Sequence, residues 1–361
     1  MNFASMISTA TLEPARQLAR PGEHLIGSVR GSLPGPTLLI LGGIHGNEPA
    51  GVLAADRVLP RIQERKAELR GEVVLLRGNT RALERKVRYI DADLNRQWAP
   101  DSVRVTASGN GGLSAMSERL EQGELLVAIR EAVSRARGEV YFLDLHTTSA
   151  HGKPFATVGD TLRNRRFALR FPVTIVLGLE EQINGTLLEY INNLGAITMG
   201  FEAGQHEAIT SVDHHEALVW NATIATGNFL REHLAELDHG RSLLKRAGGG
   251  RRVVEIRHRH AINPQDDFQM ELGFRNFQRV RRGEVLARDR TGEITAGETG
   301  LVLLPLYQKL GDDGFFLGRE VKQFWLGLSA LLRELRVGYY IRVLPGVRRD
   351  PLNDDSLIIN T

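Results

Sequence analysis

The feature that most restricts the fold of this chain is a series of short, unbroken apolar runs separated by longer amphipathic stretches. The runs at residues 37–41, 72–76, 140–145, 173–177 and 196–201 carry apolar side chains mostly on consecutive rather than alternate positions. A strand of this kind is buried on both faces. Helical patterns fall between the runs, at about residues 48–69, 117–135, 186–193 and 214–237, and a polar, irregular segment occupies about residues 78–112. Such alternation predicts an α/β protein with a mostly parallel or mixed central sheet flanked by helices.

The pattern changes after Lys245-Arg246-Ala247-Gly248-Gly249-Gly250, which reads by composition as a flexible junction. Residues 252–257 alternate, and short β-like runs follow at 285–287, 294–296 and 301–304, with a helical pattern at about 319–335. The prediction is two domains, a catalytic one over residues 1–242 and a smaller β-rich one over 251–361. A length of 361 residues agrees, at roughly 150 residues per domain.

Composition narrows the chemistry. Cysteine is absent, so a metal here must take nitrogen and oxygen ligands, and imidazole with carboxylate points to zinc first. A net charge of +3 is too small for a nucleic-acid track. The N-terminal residues lack the apolar core of a signal peptide, and no stretch reaches the roughly 18 apolar residues of a membrane span. These readings predict a cytoplasmic protein with no nucleic-acid or membrane partner. A homo-oligomer is left open.

His45 and Glu48 lie just after the first run, in Gly42-Gly43-Ile44-His45-Gly46-Asn47-Glu48, and His146 closes the 140–145 run. In open α/β sheets ligands bind beyond the carboxyl ends of strands. Two histidines and a glutamate meeting there form a ligand set for one catalytic Zn²⁺, with a fourth position open. Taken singly, each has a plainer explanation: a turn histidine, a helix-start glutamate, a satisfied core histidine. Arg88, Asn95 and Arg96 fall in the irregular segment. Asn95 and Arg96 can grip a substrate carboxylate and Arg88 can hold an oxyanion, or the arginines form surface ion pairs with Asp91 or Asp93. Glu202, in Gly200-Phe201-Glu202 after the 196–201 run, can act as general base or can be an exposed loop acid.

These motifs, in this order and spacing, resemble the succinylglutamate desuccinylase/aspartoacylase family, itself similar to zinc carboxypeptidases in its N-terminal domain. The resemblance covers about residues 35–235, and extends more loosely through Asn276-Phe277, Gly283-Glu284 and residues 303–307. It implies that His45, Glu48 and His146 are the zinc ligands, that Arg88 stabilises the oxyanion and that Asn95 and Arg96 bind a substrate carboxylate. It further implies that Glu202 activates water, and it offers Tyr307 as a substrate contact, against the alternative of a structural tyrosine. The implied activity is hydrolysis of the amide bond of a small N-acyl amino acid. A departure stands at Asn192, near where aspartoacylases carry an arginine about ten residues before the catalytic glutamate, and it argues against N-acetylaspartate. The alternatives are a zinc carboxypeptidase acting on short peptides and a non-catalytic zinc-binding homologue.

Overall fold

The computed structural model describes residues 20–108, 116–233, 236–321, 347–350 and 353–359. Its first strand, β1 (Leu25–Arg30), is followed by β2 (Leu33–Gly42), helix α1 (Ala50–Glu64) and β3 (Arg70–Arg77). The polar segment holds α2 (Thr80–Arg85), a 3-10 turn at Leu94–Arg96 and α3 (Pro100–Ala107), where the sequence predicted irregular chain. Short helices of this kind depend on local caps rather than long periodicity; Asn79 caps α2 by accepting from the Ala82 amide at 3.1 Å. Next come α4 (Ser117–Ser134), β4 (Val140–Thr148), β5 (Phe155–Val158), α5 (Leu162–Ala168), β6 (Thr174–Leu177), α6 (Leu187–Asn193) and β7 (Ile197–Gln205).

The helix expected over residues 214–237 is two helices, α7 (Ile209–Thr226) and α8 (Glu236–Gly248). Gly227, at φ 88°, ends α7 in the left-handed conformation that glycine adopts without strain. The expected flexible junction is mostly helical too, since residues 245–248 form the last turn of α8. Beyond it lie β8 (Val253–Ala261), β9 (Gln269–Met270), β10 (Gln278–Val280), β11 (Val285–Asp289), β12 (Gly292–Thr295), β13 (Gly300–Leu303) and β14 (Asp313–Glu320). Most of the helix expected at 319–335 lies outside the described residues; Arg319 and Glu320 end β14.

Among the described residues, eleven strands form one mixed sheet in the order β1-β3-β2-β4-β7-β5-β6-β8-β14-β13-β10. Strands β3, β2, β4 and β7 run parallel, and β5 turns antiparallel to β7. The sheet continues across residue 250, because β6 pairs in parallel with β8. A separate antiparallel sheet, β12-β11-β9, lies in the C-terminal part. Residues 320–361 form a second compact unit, in which β15 (Val347–Asp350) and β16 (Asn353–Ile359) pair as an antiparallel hairpin.

The apolar runs are buried as their composition requires. Leu39, Leu41 and Phe142 pack with Leu125, Ile129 and Leu188, and so bury one sheet face against α4 and α6. Ala50 and Ala54 of α1 meet Val212 of α7 in a smaller cluster. Each fully buried leucine or phenylalanine contributes about 1.5–3 kcal/mol relative to an exposed one. Position 142 shares its sheet face with 144 and 146, because strand side chains alternate. That parity places His146 on the α6 side, at the carboxyl ends of the parallel strands.

Candidate active site

The chain leaves β2 through Gly43, at φ 73°, and the turn points His45 and Glu48 back toward the end of β4. Both are buried. The Glu48 carboxylate sits between two imidazoles: Oε1 lies 2.9 Å from His45 Nδ1, and Oε2 lies 3.3 Å from His146 Nδ1. The Thr147 amide donates to Oε2 at 2.8 Å and fixes the carboxylate. Each imidazole is backed through its other nitrogen, His45 Nε2 by Asp93 at 3.1 Å and His146 Nε2 by Asp144 at 3.1 Å. Carboxylates behind histidines orient the rings of metal sites in this way.

The donor set fits a metal ion. One atom each from His45, Glu48 and His146 lies within 4.8 Å of the others. The two imidazole–carboxylate separations, 2.9 and 3.3 Å to the two oxygens of Glu48, lie close to the roughly 3.3 Å edge of a tetrahedron with bonds of about 2.0–2.1 Å. The structure therefore brings together the three residues that the sequence singled out as ligands. His24, Glu121 and Glu124 also cluster, but there Arg81 and Thr80 already occupy the carboxylates.

Electrostatics follow from this crowding. Burial opposes ionisation of Glu48, but His45 and His146 overcome it and hold the carboxyl well below its usual value. Burial disfavours a charged His146, yet Asp144 and Glu48 outweigh it and raise the imidazole well above its usual value. Glu202 is pushed up to about 8 by burial, with Glu48 and Asp144 adding to the effect and His146 opposing it. Its Oε2 is enclosed and has no hydrogen-bond partner among the described residues. Glu202 lies within β7, directly across from His146, and not in a loop after the strand as its sequence context implied.

Arg88 reaches the same cavity. Its guanidinium donates to Asp93 at 3.0 Å and lies 3.5 Å from Glu48, while Nε is buried without a partner among the described residues. The expected ion pair with Asp93 therefore exists, inside the site rather than on the surface. Asn95 is buried, and its Oδ1 accepts the first amide of α6, from Leu187, at 2.9 Å. Arg96 donates to Asp313 at 3.0 Å, and its buried Nε has no partner among the described residues. These residues line one cavity of about 130 Å³ with His45, Glu48, His146 and Glu202.

Tyr307 is not brought to this cavity by its side chain. Its hydroxyl donates to the carbonyls of Glu271 and Phe274, at 2.9 and 3.2 Å, and its ring packs on the β-rich core around Met270 and Phe315. Its neighbour Gln308 does line the cavity: Gln308 Oε1 accepts from Asn47 Nδ2 at 2.9 Å and lies 3.2 Å from His206 Nε2. Asn192 also lies elsewhere, accepting from Asn164 at 3.0 Å on the wall of an adjoining cavity.

Sequence reasoning passed over Asp144, Glu118, Glu180, His206 and Gln308. The signal for Asp144 was present, since two residues before His146 in a strand means the same face. Glu118, fully buried at the start of α4, accepts from the amides of Ile90, Asp91 and Ala92 at 2.7, 2.9 and 3.2 Å and from Asn79 Nδ2 at 3.0 Å. It thereby holds the segment that carries Arg88, Asn95 and Arg96. Glu180 lines the cavity, where burial pushes its carboxyl to about 7; the Thr186 hydroxyl pulls the other way and Asp144 adds to the rise.

Comparison with known proteins agrees with this geometry. Residues 34–226 match the family model of the succinylglutamate desuccinylase/aspartoacylase catalytic domain. A succinylglutamate desuccinylase of Pseudomonas fluorescens (strain SBW25) is 44% identical over 62 residues, which are 17% of this chain and 19% of that protein. An N-acyl-aromatic-L-amino acid amidohydrolase (carboxylate-forming) of Xenopus tropicalis is 33% identical over 116 residues, 32% of this chain and 34% of that protein. The chain thus spans only 19% and 34% of the lengths of these two curated relatives. A solved succinylglutamate desuccinylase/aspartoacylase from Rhodobacter sphaeroides superposes with a TM-score of 0.60 at 19% identity, covering 82% of this chain and 88% of that one. A succinylglutamate desuccinylase from Vibrio cholerae gives 0.58 at 17% identity, covering 94% and 95%. At these identities the two structures share the fold.

Proposed function

Since the chain belongs to the succinylglutamate desuccinylase/aspartoacylase family, we propose that it is a zinc-dependent amidohydrolase that cleaves the amide bond of a small N-acyl amino acid. The observation that carries this reading is the enclosed, partnerless Glu202 Oε2 beside the His45, Glu48 and His146 cluster. The Glu202 carboxyl, raised to about 8 by burial and enclosed beside that cluster, can carry a proton from the attacking water to the leaving amine.

His45, Glu48 and His146 would hold the metal, and zinc, when bound, would supply Lewis acidity that lowers the pKa of water to about 7 and polarises a carbonyl. Glu202 takes the proton from the attacking water as the new C–O bond forms at the acyl carbon. It then delivers that proton to the amine nitrogen as the C–N bond breaks. Arg88 presents its unpaired Nε–H toward the oxyanion. Arg96, with its own unpaired Nε–H, and Asn95 receive the carboxylate of the amino-acid half. The cavity of about 130 Å³ favours small substrates over peptides.

The test is Glu202→Ala in zinc-loaded protein, assayed on N-acyl amino acids for free amine. A loss of about 10²–10⁴-fold in kcat with zinc content unchanged is expected. Wild-type turnover in that variant sinks the assignment of Glu202, and a fully zinc-loaded wild type that frees no amine from any N-acyl amino acid sinks the activity.

A further inference from the structure

The cavity continues below the candidate metal ligands. Residues opposed on paired strands point to the same face. Strands β4, β7 and β5 thus lay two rows across the cavity wall: His146, Glu202 and Phe155, then Asp144, Gly200 and Thr157. A Cβ at Gly200 would stand 2.3 Å from Thr157 Oγ1, so glycine there makes room for the Thr157 hydroxyl, and Asp144, Thr157 and Gly200 together line one slot of the cavity. Leu188, Thr186 and Glu180 close its far side.

Two acids line the slot. Glu180 accepts one hydrogen bond, from the Thr186 hydroxyl at 2.8 Å, and meets no arginine or lysine among the described residues. Asp144 turns Oδ2 to His146, and its Oδ1 is buried without a hydrogen-bond partner among the described residues. The two guanidinium groups of the cavity pair with other acids, Arg88 with Asp93 and Arg96 with Asp313, and the reading above assigns their remaining donors to the oxyanion and to the α-carboxylate. A second substrate carboxylate would thus enter a slot that already holds two acids. An ammonium would instead find charge-assisted acceptors on Glu180 and Asp144 and a neutral one on Thr157 Oγ1.

We propose that this slot takes a cationic amino group, so that the preferred substrate is an N-acyl amino acid with an ammonium-bearing side chain, and that Glu180 is the residue that selects it. This rests on the deacylase reading given above. The Thr186 hydroxyl orients the Glu180 carboxylate, and the Thr157 hydroxyl, admitted by Gly200, adds a neutral acceptor.

The experiment compares Nα-acetylornithine, Nα-acetylnorvaline and Nα-acetylglutamate on the zinc-loaded full chain, which keeps size similar while side-chain charge runs from positive to negative. The expected order of kcat/KM is ornithine, norvaline, glutamate, with the first at least about tenfold above the second. In Glu180→Gln the ornithine-to-norvaline ratio should fall about tenfold, carried mainly by KM, and Glu180→Asp should restore part of it. Preference for the glutamate derivative, or an unchanged ratio in Glu180→Gln, overturns the proposal. Calorimetric binding of the ornithine derivative separates the two readings. If nothing is hydrolysed but binding is about tenfold weaker in Glu180→Gln than in wild type, the slot stands and the deacylase reading fails. Equal binding overturns the slot itself.

Discussion

Glu202 faces His146 across the parallel pairing of β4 and β7, one strand position supplying a candidate base and the other a candidate metal ligand. Both groups hold protons at neutral pH in the metal-free protein, for opposite reasons. Burial, with Glu48 and Asp144 adding to it, pushes Glu202 up to about 8. His146 is raised well above its usual value because Asp144 and Glu48 outweigh its burial. Glu48, held well below its usual value, is already ionised.

Zinc binding should therefore expel protons. At pH 7 the metal displaces the proton of His146 and lowers the carboxyl of Glu202, so about two protons should be released. Calorimetry in buffers of different ionisation enthalpy measures the number. The release should shrink above pH 8, where Glu202 is already ionised, and Glu202→Gln should lower it by about one at pH 7. No release at pH 7 would contradict the assignment.

Asp93 and Asp144 stand behind the two histidines at 3.1 Å each. Asp93→Asn keeps the size and removes the charge, and should weaken zinc affinity about 10–100-fold. Competition with a chromogenic chelator reads the constant directly. Arg88 would also lose its partner, so kcat should fall further than metal occupancy explains.

Glu118 is a test of how the substrate-facing segment is held. Its two oxygens gather three consecutive amides and one side-chain amide in a fully buried position. Glu118→Ala should destabilise the fold by about 3–5 kcal/mol, because several buried donors lose their acceptor together. Urea unfolding gives that figure. At temperatures where the variant stays folded, KM should rise while zinc content holds.

Gln308 joins the C-terminal β-rich part to the cavity mouth through Asn47 and His206. Burial depresses His206, which keeps its ring neutral at pH 7, so the link is a set of neutral hydrogen bonds. Gln308→Ala should cost about 0.5–1.5 kcal/mol in transition-state binding, a loss of up to about tenfold in kcat/KM. Because no charge is lost, the loss should depend little on salt, which steady-state rates at two ionic strengths will check.

The sheet was legible because its strands are unbroken apolar runs, and the His45, Glu48 and His146 cluster was legible as a candidate site because each member sits against one of those runs. The rest of the cavity was not. Glu118 acts on residues 90–92 from 26 residues further along the chain, and Gln308 reaches Asn47 across 261 positions. Neither carries a local pattern. The strands β1 and β5 were missed because β1 mixes glycine, serine and arginine with its apolar residues and β5 has only four positions. The split between α7 and α8 escaped notice because the helical periodicity was followed through Gly227, whose left-handed backbone ends the first helix.

The pairing of β6 with β8 has a mechanical consequence. Residues 175–177 are laddered to residues 253–255, so the parts of the chain on either side of the 245–250 segment share one continuous set of backbone hydrogen bonds. Swinging them apart like two jaws would tear that ladder. Traffic into the cavity is then left to the connections at its rim, the segment around Gln308 among them.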